Sequence, residues 1–330
     1  MADKAMSVEE AKRQDPQTQR ERGMHADSPT QIPMRGWKEI LKRTWTESGK
    51  DNISIVAAGV AFLCLLALFP AMAATVSIYG LVADPSDIDD HLRSLGSFLP
   101  PQGVDILAGQ LDSLASTQSD SLSFGLAASL ALALWSAAGG VKSMMTALNI
   151  AFEEEEKRGF VKFTLTALVL TLGMILFLIV AITIVVAVPT VLNFIGLGGA
   201  TEWIIRIARW PVLAAIVTLL LAVLFRYGPC RAKPRWRWVS WGAGAATLLW
   251  LVASIGFSIY ISNFADYNKT YGSLGAGVIL LLWLYIGAYA ILMGAELDAE
   301  MEHQTMKDTT EPPEKPMGNR GAYVADTVAE

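Results

Sequence analysis

Long apolar runs separated by short polar segments dominate the pattern of this chain. The last run covers residues 274–292 and carries no charged side chain over about nineteen positions. A helix of that length spans the roughly 30 Å apolar layer of a lipid bilayer. Earlier runs repeat the pattern, so the sequence predicts six membrane-spanning helices, at about residues 53–79, 122–148, 160–188, 210–225, 238–261 and 274–297.

The composition agrees with this pattern. The chain has 330 residues, of which 53% are hydrophobic, and its mean hydropathy is +0.40. Charged residues concentrate in the first fifty positions, the last thirty and a few short connections. The predicted fold class is therefore all-α, a polytopic bundle of six transmembrane helices with short amphipathic extracytoplasmic helices. The net charge of −5 is modest and indicates little about partners.

Polar segments flank the predicted transmembrane domain of residues 51–302. Residues 1–33 and 303–330 lack the apolar residues needed for a core, so both are predicted to be disordered cytosolic tails. We expect no cleavable signal peptide, because the first apolar run begins late and is long. Residues 34–50 alternate apolar and basic positions at helical spacing, which favours an amphipathic helix lying in the membrane surface. An ordinary helix packed on the cytosolic side of the bundle is the alternative.

Several positions modify the simple pattern of spans. Pro70 predicts a kink in the first span, and Gly139 and Gly140 predict a bend or a close contact in the second. Pro189 is expected to end the third span. In the connection over residues 84–121, leucine and isoleucine recur at helical spacing on both sides of a Pro-Pro pair. This connection is predicted to form two short amphipathic helices that cap the bundle.

Lysine and arginine in the connections predict the orientation. They number twenty-one in the two tails and the connections after spans two and four, against four in the other three connections, with Lys142 near a boundary. Cytoplasmic segments carry the excess of these residues. Six spans with both termini in the cytoplasm satisfy this rule at every connection.

Four segments together resemble the YihY/BrkB family of bacterial inner-membrane proteins. They are residues 57–82, residues 134–160, the RYGP sequence at 226–229, and residues 262–300, where YNKTYGSLG followed by LLWLY is the most specific part. Phe152 and Asp298 stand where the family commonly has tyrosine and asparagine. The resemblance implies a six-span membrane protein linked to lipid or glycolipid export and to virulence. It also brings an old ribonuclease label.

The residues do not support an enzyme. Metal-dependent phosphodiester cleavage needs clustered histidine and carboxylate ligands, but His25, His91 and His303 are dispersed. The acidic run at residues 153–156 is interpreted as a solvated loop end. No catalytic residue, metal or cofactor is predicted, and Cys64 and Cys230 are not expected to form a disulfide. Nucleic acid is not an expected partner.

Polar residues gather at the outer end of spans five and six. The gate or substrate candidates there are Asn263, Tyr267, Asn268, Lys269 and Tyr271, although a plain turn would use the same residue types. Glu296 near the inner end of span six is a further candidate, because ionisable groups in membrane segments are rare and functional. The alternative for Glu296 is a helix-end carboxylate that pairs with Arg226.

Basic residues and tryptophans gather on the inner side, in what we call the basic rim: Arg226, Arg231, Lys233, Arg235, Trp236 and Arg237. Such groups suit anionic lipid head groups, and topology anchoring alone is the alternative. Anionic membrane lipids are the expected partners, while a homo-oligomer or a partner protein stays open. The leading hypothesis is a transporter or flippase-like protein for an amphiphile. A membrane scaffold or envelope-integrity protein comes second, and a ribonuclease comes last.

Overall fold

A computed structural model of the chain describes residues 5–6, 13, 15–79, 124–194, 200–263 and 273–329, and these residues are mostly helical. Their two short strands, β1 (Ala5–Met6) and β2 (Val328–Ala329), pair antiparallel with Ala5 opposite Ala329. A 3-10 turn covers Pro29–Gln31. The α-helices are α1 (Pro16–Arg22), α2 (Met34–Lys50), α3 (Ile53–Tyr79), α4 (Phe124–Ala151), α5 (Phe160–Phe194), α6 (Ala200–Tyr227), α7 (Trp236–Asn263), α8 (Ser273–His303) and α9 (Tyr323–Asp326).

Each predicted span corresponds to one of the long helices α3 to α8. Within the described ranges, four segments are long and apolar enough to cross a membrane: Phe160–Ala181, Trp210–Tyr227, Trp236–Ile261 and Gly277–His303. A fifth is reached if α2 and Ile53–Leu68, which meet at 65°, count as one broken span. The count of six stays a prediction, as do the extracytoplasmic helices, because residues 84–121 lie outside the described residues.

The described helices continue through Pro70, Pro189 and a glycine pair. The expectation that Pro189 ends its helix is wrong, since α5 continues to Phe194, and α3 continues through Pro70. Membrane helices tolerate proline because neighbouring groups compensate for the missing hydrogen bond. Helix α4 also continues through its glycine pair. A Cβ added to Gly140 would lie 3.2 Å from the Ala67 Cβ, so this glycine permits close contact with α3.

Glycines also join α7 to α8. A Cβ on Gly242 would lie 2.4 Å from the Gly294 carbonyl oxygen, and one on Gly294 would lie 2.5 Å from the Ala246 Cβ. Small residues let helix backbones approach closely where no hydrophobic driving force acts between helices in lipid. This seam fixes α8, which carries most of the buried carboxylates.

The buried core and the exposed surface follow the needs of a membrane protein. Phe152 and Phe225 meet edge to face, with ring centroids 6.4 Å apart, inside a cluster drawn from the long helices and the ends that follow them. Large apolar side chains such as Val161, Leu165 and Val169 of α5 are exposed. A surface of this kind is stable against lipid tails rather than water.

The two polar termini fold together, in contrast to the predicted disorder. We call residues 15–33 and 304–329 the terminal cap, and the end of the bundle that they cover the cap end. The Met306 amide donates to the Met24 carbonyl at 2.8 Å, and the Thr305 hydroxyl donates to the Ala26 carbonyl at 2.8 Å. Met24 and Val328 are fully buried together. Each terminus lacks a core alone, but each supplies the other with apolar and hydrogen-bonding partners.

Helix α2 combines both interpretations of residues 34–50. Ile40 is fully buried against Trp238 and Met301, so one face packs on the bundle. Leu41 and Trp45 are 57% and 71% exposed on another face. An exposed tryptophan beside lysines is typical of a helix at a membrane surface.

Candidate functional site

Only Asn263 of the predicted outer hairpin lies within the described residues, as the last residue of α7. Tyr267, Asn268, Lys269 and Tyr271 lie outside them. The hairpin therefore stays a sequence prediction, and the site with described geometry lies at the cap end.

Glu296 is buried about two turns before the end of α8, with 2% of its surface exposed. The predicted pairing with Arg226 is wrong, because Arg226 donates instead to the Pro234 carbonyl and the Glu311 carboxylate. The Glu296 side chain meets the carboxyl group of Asp51, in the turn between α2 and α3. Its Oε1 has no hydrogen-bond donor among the described residues.

Three further carboxylates surround this pair and complete what we call the acidic site: Glu47, Asp51, Glu153, Glu296 and Glu300. Glu300 accepts from the Arg43 Nε at 2.5 Å, and Glu47 accepts from the Lys50 Nζ at 2.9 Å. Burial, followed by the negative charges of Asp51 and Glu300, raises the pKa of Glu153 to about 7. The five carboxyl groups of this site therefore outnumber the two cations that bind them.

A cavity of about 490 Å³ adjoins the acidic site. Its walls come from α1, α2, the end of α8 and the residues just after α4, and they include Glu47, Glu153 and Glu300. These three carboxylates therefore connect the acidic site to the cavity.

The basic rim divides into two sets. Arg231 donates to Glu302 at 2.8 Å with both side chains fully buried, and its guanidinium lies 3.9 Å from the centre of the Phe152 ring. Arg226 donates to Glu311, and Arg235 donates to the Thr310 carbonyl at 2.8 Å. These two arginines therefore attach the terminal cap to the bundle, whereas Arg231 binds the end of α8. The remaining members, Lys233, Trp236 and Arg237, are exposed.

The exposed part of the rim continues into α2. The Trp37 and Trp241 rings lie 5.7 Å apart and join the start of α7 to α2. Trp241 is 45% exposed, and Trp45 of α2 is more exposed still. This belt of tryptophan and basic residues has the composition of a membrane interface.

Sequence reasoning missed the structural role of Asp298. Asp298 is buried, and its Oδ1 accepts from the Gly242 amide at 2.8 Å across the α7–α8 seam. The sequence places a carboxylate in an apolar run without indicating that a backbone amide of another helix faces it. By contrast, the ion pairs of the C-terminal glutamates could be expected from charge, because Glu302, Glu311 and Glu314 complement the arginines of the rim.

Within the described ranges, no group of three or more histidine, cysteine or carboxylate side chains is arranged to hold a metal ion. The acidic site therefore gathers carboxyl groups without the convergent geometry of a metal centre.

Comparison with known proteins decides the family. The family described as Virulence factor BrkB matches residues 44–318. The chain belongs to that family. This BrkB family member is 29% identical to the ribonuclease-like protein YfkH of Bacillus subtilis, over 79% of this chain and 93% of the relative.

Other relatives of this BrkB family member carry membrane-protein names. It is 27% identical to a UPF0761 membrane protein of Pseudoalteromonas translucida, over 79% of this chain and 85% of the relative. It is 28% identical to a UPF0761 membrane protein of Photobacterium profundum, over 76% and 77%. No solved structure matches the chain. The family and the apolar helices together make it an integral membrane protein.

Proposed function

We propose that this protein moves a lipid, a glycolipid or another amphiphile across a bacterial inner membrane, as a transporter or a flippase-like protein. The observation that carries the proposal is Glu296, a buried carboxylate in an apolar helix that no arginine or lysine neutralises directly. Such a group is energetically costly in a membrane segment. A purely structural helix would gain stability by replacing it with an apolar residue.

The exposed belt at the cap end supports an amphiphile as the substrate class. Lys233, Arg237 and the neighbouring tryptophans face outward at the level where lipid head groups lie. The buried arginines of the rim are occupied by the terminal cap and the end of α8, so head-group contact is assigned to the exposed members alone. An anionic head group near the belt would meet positive charge, while its acyl chains would meet the apolar side chains of α7.

The orientation proposal keeps both termini in the cytoplasm. The pairing of β1 with β2 supports an even number of spans, because it requires both chain ends on one side of the membrane. The excess of lysine and arginine in the tails and neighbouring connections favours the cytoplasm as that side.

Reconstitution into liposomes that contain a fluorescent anionic lipid tests the function. We expect the protein to speed movement of the lipid between leaflets, and Glu296→Gln to reduce that rate at least tenfold. Glu314→Gln is the matched control, because Glu314 is an exposed glutamate of the terminal cap and is expected to leave the rate unchanged. Equal rates in the Glu296 variant and the unaltered protein would remove the basis of the proposal.

Lipid retained after mild extraction tests the substrate class. Native mass spectrometry is expected to find an anionic lipid or glycolipid on the protein, and less of it after Lys233→Gln with Arg237→Gln. Lys315→Gln, an exposed lysine of the terminal cap, is the control. A random sample of bulk lipid in all variants would argue against a head-group site at the belt.

A membrane scaffold is the second candidate, and the folded terminal cap favours it. The cap presents a polar surface that a partner protein could bind, and Arg226 and Arg235 attach this cap to the bundle. Deletion of residues 1–33 or of residues 305–330 separates the candidates. A scaffold loses its partners, whereas a transporter that still folds retains its lipid movement. The ribonuclease-like name belongs to the relative, and we do not extend that activity to this chain.

A further inference from the structure

We propose that the Asp51 and Glu296 carboxyl groups share one exchangeable proton, and that uptake and release of this proton drive the movement of the amphiphile. The coupling rests on the proposed function, but the proton site itself does not. The inference supplies an energy source, which the proposed function leaves open.

The contact between the two carboxyl groups is the first step. Two ionised carboxylates have only acceptor atoms, so they cannot hydrogen-bond to each other. Here Glu296 is buried, the half-buried Asp51 contacts it, and Glu296 Oε1 has no donor among the described residues. A single proton converts one member into a donor and satisfies the contact. Paired carboxyl groups at this proximity share a proton because both cannot ionise together.

The surrounding charges favour such a proton. The groups that face the pair are Arg43, Glu47 and Lys50 of α2, Glu153 after α4, Glu300 and His303 of α8, and Tyr323 of α9 through its bond to Glu153. Arg43 binds Glu300, and Lys50 binds Glu47. Lys50 also attracts Asp51, but no cation pairs with Glu296 among the described residues, and Glu47, Glu153 and Glu300 surround the pair with negative charge when they ionise. Burial accordingly raises the pKa of Asp51.

A route for the proton exists on the described side. Glu47, Glu153 and Glu300 line the cavity of about 490 Å³, and all three lie near the pair. Glu153, whose pKa lies near neutrality, is suited to pass protons between water and Asp51. The proton enters from water, resides between Asp51 and Glu296, and leaves to water when the bundle rearranges, so no other reactant is required.

A metal ion is a poorer occupant than a proton. Among the residues with described positions, no group of three ligating side chains converges on a point. The pair alone also offers fewer oxygens than the roughly six to eight ligands that calcium takes. The site therefore fits a proton rather than sodium or a divalent cation.

Dicyclohexylcarbodiimide tests the proton site without any transport assay. This apolar reagent enters membrane proteins and modifies carboxyl groups only when they are protonated. We expect the purified full-length protein to be modified at Glu296 or Asp51, as located by peptide mass spectrometry. Labelling should fall severalfold as the pH rises from mildly acidic to alkaline. Glu156, whose pKa hydrogen bonds from Arg158 lower to about 2, is the internal control and should remain unlabelled.

Two variants make the test specific. Glu296→Gln and Asp51→Asn are each expected to reduce labelling of the remaining partner, because the shared proton no longer resides on a carboxyl pair. Size-exclusion chromatography shows whether each variant is folded, and Asp51→Asn serves if the other does not fold. Glu314→Gln should label as the unaltered protein does. Absent labelling, labelling independent of pH, or protection by sodium at constant pH would each overturn the proton pair.

Liposomes with an imposed pH difference test the coupling. Reversal of the gradient should change the rate of lipid movement severalfold in the unaltered protein but not in Glu296→Gln. Lipid movement without pH-dependent labelling would keep the proposed function and refute the proton pair. Labelling without any lipid movement would keep the proton pair and refute the proposed function. Lipid movement that ignores the gradient would refute the coupling.

Discussion

Arg231 and Glu296 are both buried at the cap end of the bundle, but their surroundings differ. Arg231 and Glu302 form a fully buried ion pair at 2.8 Å, and the arginine also lies over the Phe152 ring. Glu296 meets another carboxyl group, with further carboxylates beyond it. Opposite charges neutralise each other in the first region, whereas like charges are held together in the second. The first arrangement joins the connection between α6 and α7 to the end of α8. The second leaves a buried carboxyl oxygen of Glu296 without a hydrogen-bond donor among the described residues.

The largest expected effect comes from breaking the first region. Arg231→Ala would leave Glu302 buried without its cation and should destabilise the protein by about 3 to 5 kcal/mol. The midpoint of unfolding in mixed detergent micelles measures the loss. Arg237→Ala, at an exposed arginine of the same rim, is the control and should change the midpoint little. Equal effects of the two substitutions would mean that the buried ion pair does not stabilise the folded protein.

A smaller effect is expected at the α7–α8 seam. It tests whether the contact of Asp298 with Gly242 stabilises the fold. Gly242→Ala places a methyl group against the Gly294 carbonyl and the Asp298 carboxylate, so it should destabilise by about 1 to 3 kcal/mol. Gly244→Ala is the matched control in the same helix, because its added Cβ meets no described atom within 4 Å. That control should be neutral or slightly stabilising. Similar unfolding midpoints for both variants would contradict the tight seam.

A still smaller effect on stability is expected after α4, where Glu153 and Glu156 also differ in their surroundings. Burial raises the pKa of Glu153 to about 7, while hydrogen bonds from Arg158 lower the pKa of Glu156 to about 2. The stability that Glu153 contributes is therefore present below its usual pKa of 4.5 and is lost as the pH rises towards 7. That of Glu156 is present above 4.5 and is lost as the pH falls towards 2.

Unfolding midpoints recorded across this pH range check both signs. Glu153→Gln should flatten the upper part of the profile, and Glu156→Gln should flatten the acidic part. Glu155→Gln, between them in sequence and exposed, is the control and should leave the profile unchanged. An unchanged profile in Glu153→Gln would mean that the pKa of this carboxyl group is not raised in the folded protein.

The smallest expected effect is none at all. If the carboxylates of the acidic site bound magnesium or manganese, they would provide the ligands that a nuclease requires. We expect purified protein to leave fluorescent RNA intact with either metal ion, because no three ligands converge among the described residues. RNA cleavage that disappears with a chelator and in Glu296→Gln would replace the proton interpretation of this site.

Particular residues show how far the sequence predicts the site. Glu296 is recognisable because it is an acidic residue at the end of an apolar run, and the basic rim is recognisable from composition. The contact of Glu296 with Asp51 is not predicted by the sequence, since 245 positions separate the two residues in the chain. The assignment of Arg226 to Glu296 failed for the same reason, because Glu311 of the folded terminus provides a competing carboxylate.

The sequence by itself determined where the long helices α3 to α8 lie, because runs of about twenty apolar residues satisfy their backbone hydrogen bonds only as helices in lipid. Some helix ends follow from polar residues, as in α3 at Ile53–Tyr79, whereas α6 begins ten residues before its predicted span and α5 continues past Pro189. Only the tertiary structure decided which charges neutralise each other and that the two polar termini fold as one cap. Those outcomes depend on contacts between distant segments, which local composition and periodicity do not encode.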